Sequence, residues 1–283
     1  MRIHGTWAVA LLLSASCAGP GGTSMLAQAG KGTRFARFEA GGAVSHGIVE
    51  GDRVRVISGD LFGKREKTDK TYALSEVKLL TPVQPGKVFA LAGNFQSHLG
   101  TTPPFKNPEI FFKLPTSIVP HGADVVIPPG TAEVHYEAEE VVVIGKRAKN
   151  VKAADAMGYV LGVTAGNDIS ARDWQKGDRQ WWRAKGSDTF GPIGPYLLVG
   201  ANYDDLALEM RVNGEVKQKE RTSDHLFKIA ETVSFISTHC TLEPGDVIFM
   251  GTPQKTTAIK PGDVMEVELE GVGILRNKVA SAP

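Results

Sequence analysis

The stretch His135-Tyr136-Glu137-Ala138-Glu139 runs directly into Val141-Val142-Val143-Ile144-Gly145. The second half reads as a buried strand: a short, β-branched apolar run closed by glycine. Two acids stand at its mouth. Strand side chains alternate faces, so Glu137 and Glu139 point the same way, about 7 Å apart along the chain. Like charges held that close repel unless a cation or a proton separates them. The spacing therefore points to a metal site. Glu140 falls on the opposite face and is not counted as a ligand. By the same parity His135 shares the face of the acids, either behind the metal or simply packed.

Outward from this strand the chain is turn-rich. Its 283 residues include 32 Gly and 16 Pro, and strand-like runs outnumber helical ones. That pattern predicts an α+β, β-rich fold. A small N-terminal β-rich domain is expected over residues 33–82, with turns at Gly41-Gly42 and Gly51-Asp52 and a short helix over 72–77. A linker at Pro82-Val83-Gln84-Pro85-Gly86 leads into a larger domain over 87–280. There, residues 88–92, 110–113, 125–127, 246–250 and 264–269 read as strands. A helix opens at 153–157, and residues 225–240 carry the clearest amphipathic helix pattern. A net charge of +1 gives no reason to expect a nucleic-acid partner.

The first 29 residues read as an export signal, with the apolar run 7–13 too short to span a bilayer and Ala27-Gln28-Ala29 as a cleavage site. A periplasmic protein with no membrane insertion of the mature chain is then expected. Two alternatives stand beside it: a lipoprotein box ending at Cys17, and a cytoplasmic protein started at Met25. Cys17 and Cys240 are the only cysteines, which excludes a disulfide framework and a thiolate zinc site.

A third acid, Asp168, follows an apolar run in Gly166-Asn167-Asp168-Ile169-Ser170-Ala171-Arg172-Asp173. With Glu137 and Glu139 it makes an all-oxygen set, which favours a hard cation, Mg²⁺ or Mn²⁺. The plainer alternative is a strand-end acid pair neutralised by Lys146 or Arg147, with Asp168 capping a turn. Spacing alone does not separate the two.

Further motifs follow in order: Val143-Ile144-Gly145-Lys146, Arg183-Ala184-Lys185-Gly186-Ser187-Asp188-Thr189-Phe190, Gly191-Pro192-Ile193-Gly194-Pro195, Leu242-Glu243-Pro244-Gly245-Asp246 and Gly251-Thr252-Pro253. Together with the acidic motifs they resemble the fumarylacetoacetate hydrolase family, including its 2-hydroxyhepta-2,4-diene-1,7-dioate isomerase-like members, over residues 33–279. The resemblance implies a mixed β-sandwich roll, a homodimer, and Mg²⁺ or Mn²⁺ on Glu137, Glu139 and Asp168. It implies that Arg172, Gln175 and Lys185 line the substrate pocket and that Thr252 hydrogen-bonds substrate. Without it, Lys185 reads as a surface lysine, and Arg172 and Gln175 as partners of Asp173 or Asp178.

The family's substrates are 2-oxo acids such as acylpyruvates. Breaking their C–C bond leaves electrons on carbon, which a Lewis acid and the Lys185 ammonium stabilise as an enolate. His98 is the candidate base, a catalytic residue beside Lys185. Hydrolytic members often carry a Glu three residues after this His; here that position is Thr101. Gly100 and Pro103-Pro104 also disfavour the short helix of such a lid, and Glu109 is the nearest substitute acid along the chain. A second departure is Gln254-Lys255-Thr256-Thr257, where the family continues with glycine-rich sequence. The leading expectation is a metal-dependent hydrolase cleaving an acylpyruvate- or fumarylpyruvate-like 2-oxo acid. An isomerase, tautomerase or decarboxylase using the same site comes next, and a non-catalytic binding protein third.

Overall fold

The computed structural model describes residues 32–282. The export signal, the Cys17 box and the Met25 start fall outside them. The fold is β-rich α+β, built mainly from two sheets packed face to face, with a two-stranded pair, Val134–His135 and Ser170–Ala171, beside them. The larger, 12-stranded sheet has Ala138–Ile144 near its centre, flanked by Val160–Asn167 and Val247–Phe249. The second sheet orders Glu215–Arg221, Ala207–Val212, Val264–Leu269, Gly273–Ser281 and Asp124–Ile127.

Every residue of Ala138–Ile144 is buried, which explains the unbroken apolar run from Val141 to Ile144. Val142 and Ile144 point into the main core between the sheets, with Leu208, Met210 and Val267. Val141 and Val143 point the other way, into a second core with Ile193 and Phe249. The partner strand carries Gly166 opposite Glu139, where a Cβ would collide with Val141 and Phe249.

Strands Thr33–Ala40, Ala43–Glu50, Arg53–Gly59 and Arg65–Ala73 form a meander around Phe38, Val49 and Val54. Its first strand pairs with Gly191–Val199, so the meander extends the large sheet. A helical turn forms at Ala153–Ala156 as expected, and the apolar run after it is a strand, Val160–Asn167. Two local expectations are corrected. Residues 72–77 continue a strand to Ala73 and then make only a single 3₁₀ turn, Leu74–Glu76. The amphipathic helix starts at Ile229, because His225 bridges to Phe95 and the Leu226 and Phe227 amides donate to Asn94. Among the described residues no helix is long and apolar enough to cross a membrane.

Glu140 obeys its parity and enters the main core, where His225 Nδ1 lies 3.8 Å from its Oε2. Both side chains are buried, and none of their four polar atoms has a hydrogen-bond partner. Burial, with Asp204 adding repulsion, pushes the Glu140 carboxyl well up. Burial, with Lys228 nearby, pushes the His225 imidazole down to about 3. Such a pair costs more than it contributes. The double variant Glu140→Met/His225→Leu should gain about 1–4 kcal/mol in chemical denaturation. From this pair wild type should also lose stability as pH falls from about 4.5 toward 3, where only the unfolded imidazole takes up a proton; between about 6.5 and 4.5 that loss is offset, because the raised Glu140 carboxyl is protonated in the fold and not in the unfolded chain. His225→Leu should flatten that slope; a double variant less stable than wild type would refute this account.

Candidate metal and substrate site

The antiparallel register sets Ala138 opposite Asn167, so the next pair outward is Glu137 with Asp168. The Asp168 amide donates to the Glu137 carbonyl (2.9 Å), and the Asn167 side chain accepts from the Glu137 amide (2.9 Å). Acids 31 residues apart in sequence thus become neighbours of Glu139. One carboxylate oxygen from each of the three lies within 4.8 Å of the others, and all three residues are buried.

Three cations surround them. Lys185 Nζ bridges Glu137 Oε2 (2.5 Å) and Asp168 Oδ2 (2.7 Å). Arg172 Nη2 donates to Glu137 Oε1 (2.5 Å), and its Nη1 donates to Gln175 Oε1 (2.8 Å). Lys113 Nζ donates to Asp168 Oδ1 (2.6 Å) and to the Lys185 carbonyl. Lys146 and Arg147 are not the neutralising groups: Arg147 pairs with Glu243, and Lys146 takes no part. Asp173 and Asp178 pair with Thr131 and Arg183, leaving Arg172 to the acids.

Burial alone would raise the Glu137 carboxyl, but Lys185, Arg172 and His98 outweigh it and hold it well below the usual range. Glu139 goes the opposite way. Burial raises it most, and repulsion from Asp168 and Glu137 adds to that. Among the described residues its carboxylate accepts one hydrogen bond, from the Gly251 amide (2.6 Å to Oε2), in a backbone turn at φ +93 where a Cβ would press on Asn94. Glu139 is therefore the acid whose charge the protein's own cations leave least compensated. A hard divalent cation at the three carboxylates fits this donor set, and Lys185 is the group it would displace.

His98, Arg172, Gln175, Lys185 and Thr252 line one small cavity with Glu137 and Glu139, with about 50 Å³ of free space. His98 sits on the single helical turn Gln96–Leu99, which Gly100 ends at φ +64. The breakers foreseen there close the turn rather than prevent it. His98 Nδ1 lies 2.5 Å from the Gln254 carbonyl. Glu109 does not stand in for the dyad acid: it lies in an outer groove of about 560 Å³ with Phe112, Arg179 and Trp182. Phe111 and Trp181, in edge contact at 5.3 Å, divide that groove from the inner cavity. His135 turns away from the acids to Thr256 and Glu133, because its strand, Val134–His135, stops before Glu137.

Sequence reasoning missed Lys113, Phe111, Trp181 and Gln218. Lys113 shows only as a strand-end lysine, although alternation along Glu109–Lys113 would have put it beside Phe111. Gln218 joins the Ala138 amide to Thr252 Oγ1 and the Pro253 carbonyl, across distances in sequence that no local pattern reveals.

Residues 87–280 match the family described as fumarylacetoacetate (FAA) hydrolase C-terminal. The chain belongs to the fumarylacetoacetate hydrolase family. Residues 33–82 match a second description, Rv2993c-like, N-terminal. Protein Rv2993c of Mycobacterium tuberculosis is 39% identical over 87% of this chain and 97% of its own length. Oxaloacetate tautomerase FAHD2A, mitochondrial, of Bos taurus is 41% identical over 72% of this chain and 70% of its own. Among solved structures, the 2-hydroxyhepta-2,4-diene-1,7-dioate isomerase of Mycobacterium marinum superposes with a TM-score of 0.83. It is 38% identical, covering 88% of this chain and 98% of that one. Fumarylacetoacetate hydrolase family proteins are enzymes of small molecules, and this chain carries a buried Glu/Glu/Asp triad.

Proposed function

We propose that this protein moves a proton within a small 2-oxo acid or its enol, as a divalent-cation-dependent tautomerase or isomerase. The observation that carries this reading is the neutral partner of His98. A carboxylate would favour the imidazolium that forms when a histidine strips a proton from water; the Gln254 carbonyl does so far less. Such a ring suits the exchange of an already acidic carbon-bound proton. A tautomerase and an isomerase among the relatives support the same choice.

A cation, Mg²⁺ or Mn²⁺, would lie at Glu137, Glu139 and Asp168 and supply Lewis acidity toward the 2-oxo acid's oxygens. Arg172, held in plane by Gln175, would take the substrate carboxylate, and Thr252 would contact the remaining oxygen. His98 would take the proton from the carbon next to the 2-oxo group. The C–H electron pair becomes a C=C bond, the carbonyl pair moves to oxygen, and Lys185 stabilises the charge there. The proton returns to that oxygen in a tautomerase, or to a more distant carbon in an isomerase.

Hydrolytic C–C cleavage is the second reading. It is favoured by likeness to the maleylpyruvate hydrolase of Sphingobium sp. SYK-6, 26% identical with a TM-score of 0.74. The purified protein with Mn²⁺ should speed enol decay and C3 deuterium exchange of oxaloacetate while leaving acylpyruvates uncleaved. Acylpyruvate cleavage without accelerated exchange would establish the hydrolase instead. Glu137→Gln should weaken Mn²⁺ binding and abolish turnover; unchanged values of both would remove the metal site from the account. Export and a homodimer belong to the same proposal, to be checked by N-terminal sequencing of the native protein and by sedimentation.

A further inference from the structure

The loop Gln254-Lys255-Thr256-Thr257 touches both the base and the substrate-binding guanidinium. Gln254 has φ +53, a left-handed conformation that turns its carbonyl to His98 Nδ1 at 2.5 Å. Three further bonds hold it there. Its amide donates to Ser97 Oγ (3.0 Å), and that hydroxyl donates to Glu220 Oε2 (2.6 Å). Its side chain spans the Lys219 backbone, accepting from the amide (3.1 Å) and donating to the carbonyl (3.3 Å). Two residues on, Thr256 Oγ1 accepts from Arg172 Nη2 (2.8 Å) and contacts His135 Nδ1 (2.8 Å).

A carbonyl can only accept, so Nδ1 of His98 must carry the hydrogen and Nε2 is left as the proton-exchanging atom of the neutral ring. We infer that Gln254 is a positioning residue whose main-chain carbonyl takes the place of an orienting carboxylate, fixing His98 in the Nδ1–H tautomer. Thr256, on the same loop, aims Arg172. The catalytic consequence rests on His98 being the proton carrier proposed above; the tautomer does not. Ser97 and Glu220 complete the latch, binding the His98 turn to the strand Glu215–Arg221.

The test reads the His98 ring nitrogens by long-range ¹H–¹⁵N NMR above the imidazole titration range, with His98→Gln to assign the signals. Wild type should show Nδ1 protonated and Nε2 bare. Ser97→Ala combined with Gln254→Gly keeps the left-handed turn but frees the loop, and should give a mixture of tautomers. Its kcat should fall about tenfold, the scale of one lost orienting hydrogen bond, with KM little changed. Ser97→Thr should restore both. Thr256→Val should instead raise KM. A wild-type ring protonated at Nε2, or a loosened loop that leaves the single tautomer intact, overturns the inference. Full turnover in His98→Gln would count against the proton-carrier role alone, because the ring spectrum decides the tautomer independently.

Discussion

Replacing Lys185 with methionine should lower turnover by roughly 10²–10³-fold while divalent-cation affinity holds or rises. The two effects separate because the proposed mechanism gives this ammonium two functions. Without a cation it bridges Glu137 and Asp168 at 2.5 and 2.7 Å and supports their charges. With substrate present it is the positive group available to a developing oxyanion. Methionine fills the same buried volume and removes the charge, so the acids lose a competitor for the cation and the reaction loses its stabiliser. The Lys185 ammonium itself is kept protonated: burial would lower its pKa, but Asp168 and Glu137 together raise it above the usual lysine value. Calorimetry with Mn²⁺ and the deuterium-exchange assay on one protein preparation would check the split. The variant's melting temperature should also rise more on adding Mn²⁺ than that of wild type. If affinity fell in step with turnover, Lys185 would be a structural strut and not a group that changes partners.

Asp168→Asn should be the most damaging single substitution to stability, at about 3–5 kcal/mol, and should also abolish Mn²⁺ binding. Asp168 answers two buried ammonium groups at once, Lys113 and Lys185. Lys113 is the more vulnerable. Burial already pushes its amine down, and Asp168 is the chief group opposing that. An amide leaves this lysine either charged without a counter-ion or deprotonated without a strong acceptor. Adding Lys113→Met to Asp168→Asn should recover much of the loss in urea denaturation, because the buried charge departs with its partner. No recovery would mean that the cost lies in the strand-end backbone, where the Asp168 amide and carbonyl bond to Glu137 and Ser170.

The acidic triad was legible because its three members sit at strand ends, where alternation and register are simple geometric rules. The fold class was legible from the same short apolar runs. What sequence did not show depends on contacts between distant segments. Lys113 meets Asp168 only because the edge strand Glu109–Lys113 ends over the site. The start of the helix Ile229–His239 depends on Asn94 claiming the backbone just before it. His135 misled for a different reason: parity holds only within an unbroken strand, and the chain leaves the sheet between His135 and Ala138. The polar partner of His98 was out of reach because it is a main-chain atom, which no side-chain motif records.

The pairing of Ala138–Ile144 with Val160–Asn167 also fixes which chain a cation can recognise. A slip of one residue would carry Glu139 into the main core and turn Glu140 outward toward the site. The three carboxylates converge only when this pairing is in register. A cation held by them would therefore favour the correctly registered sheet over any slipped one, by an amount that grows with its concentration above its Kd.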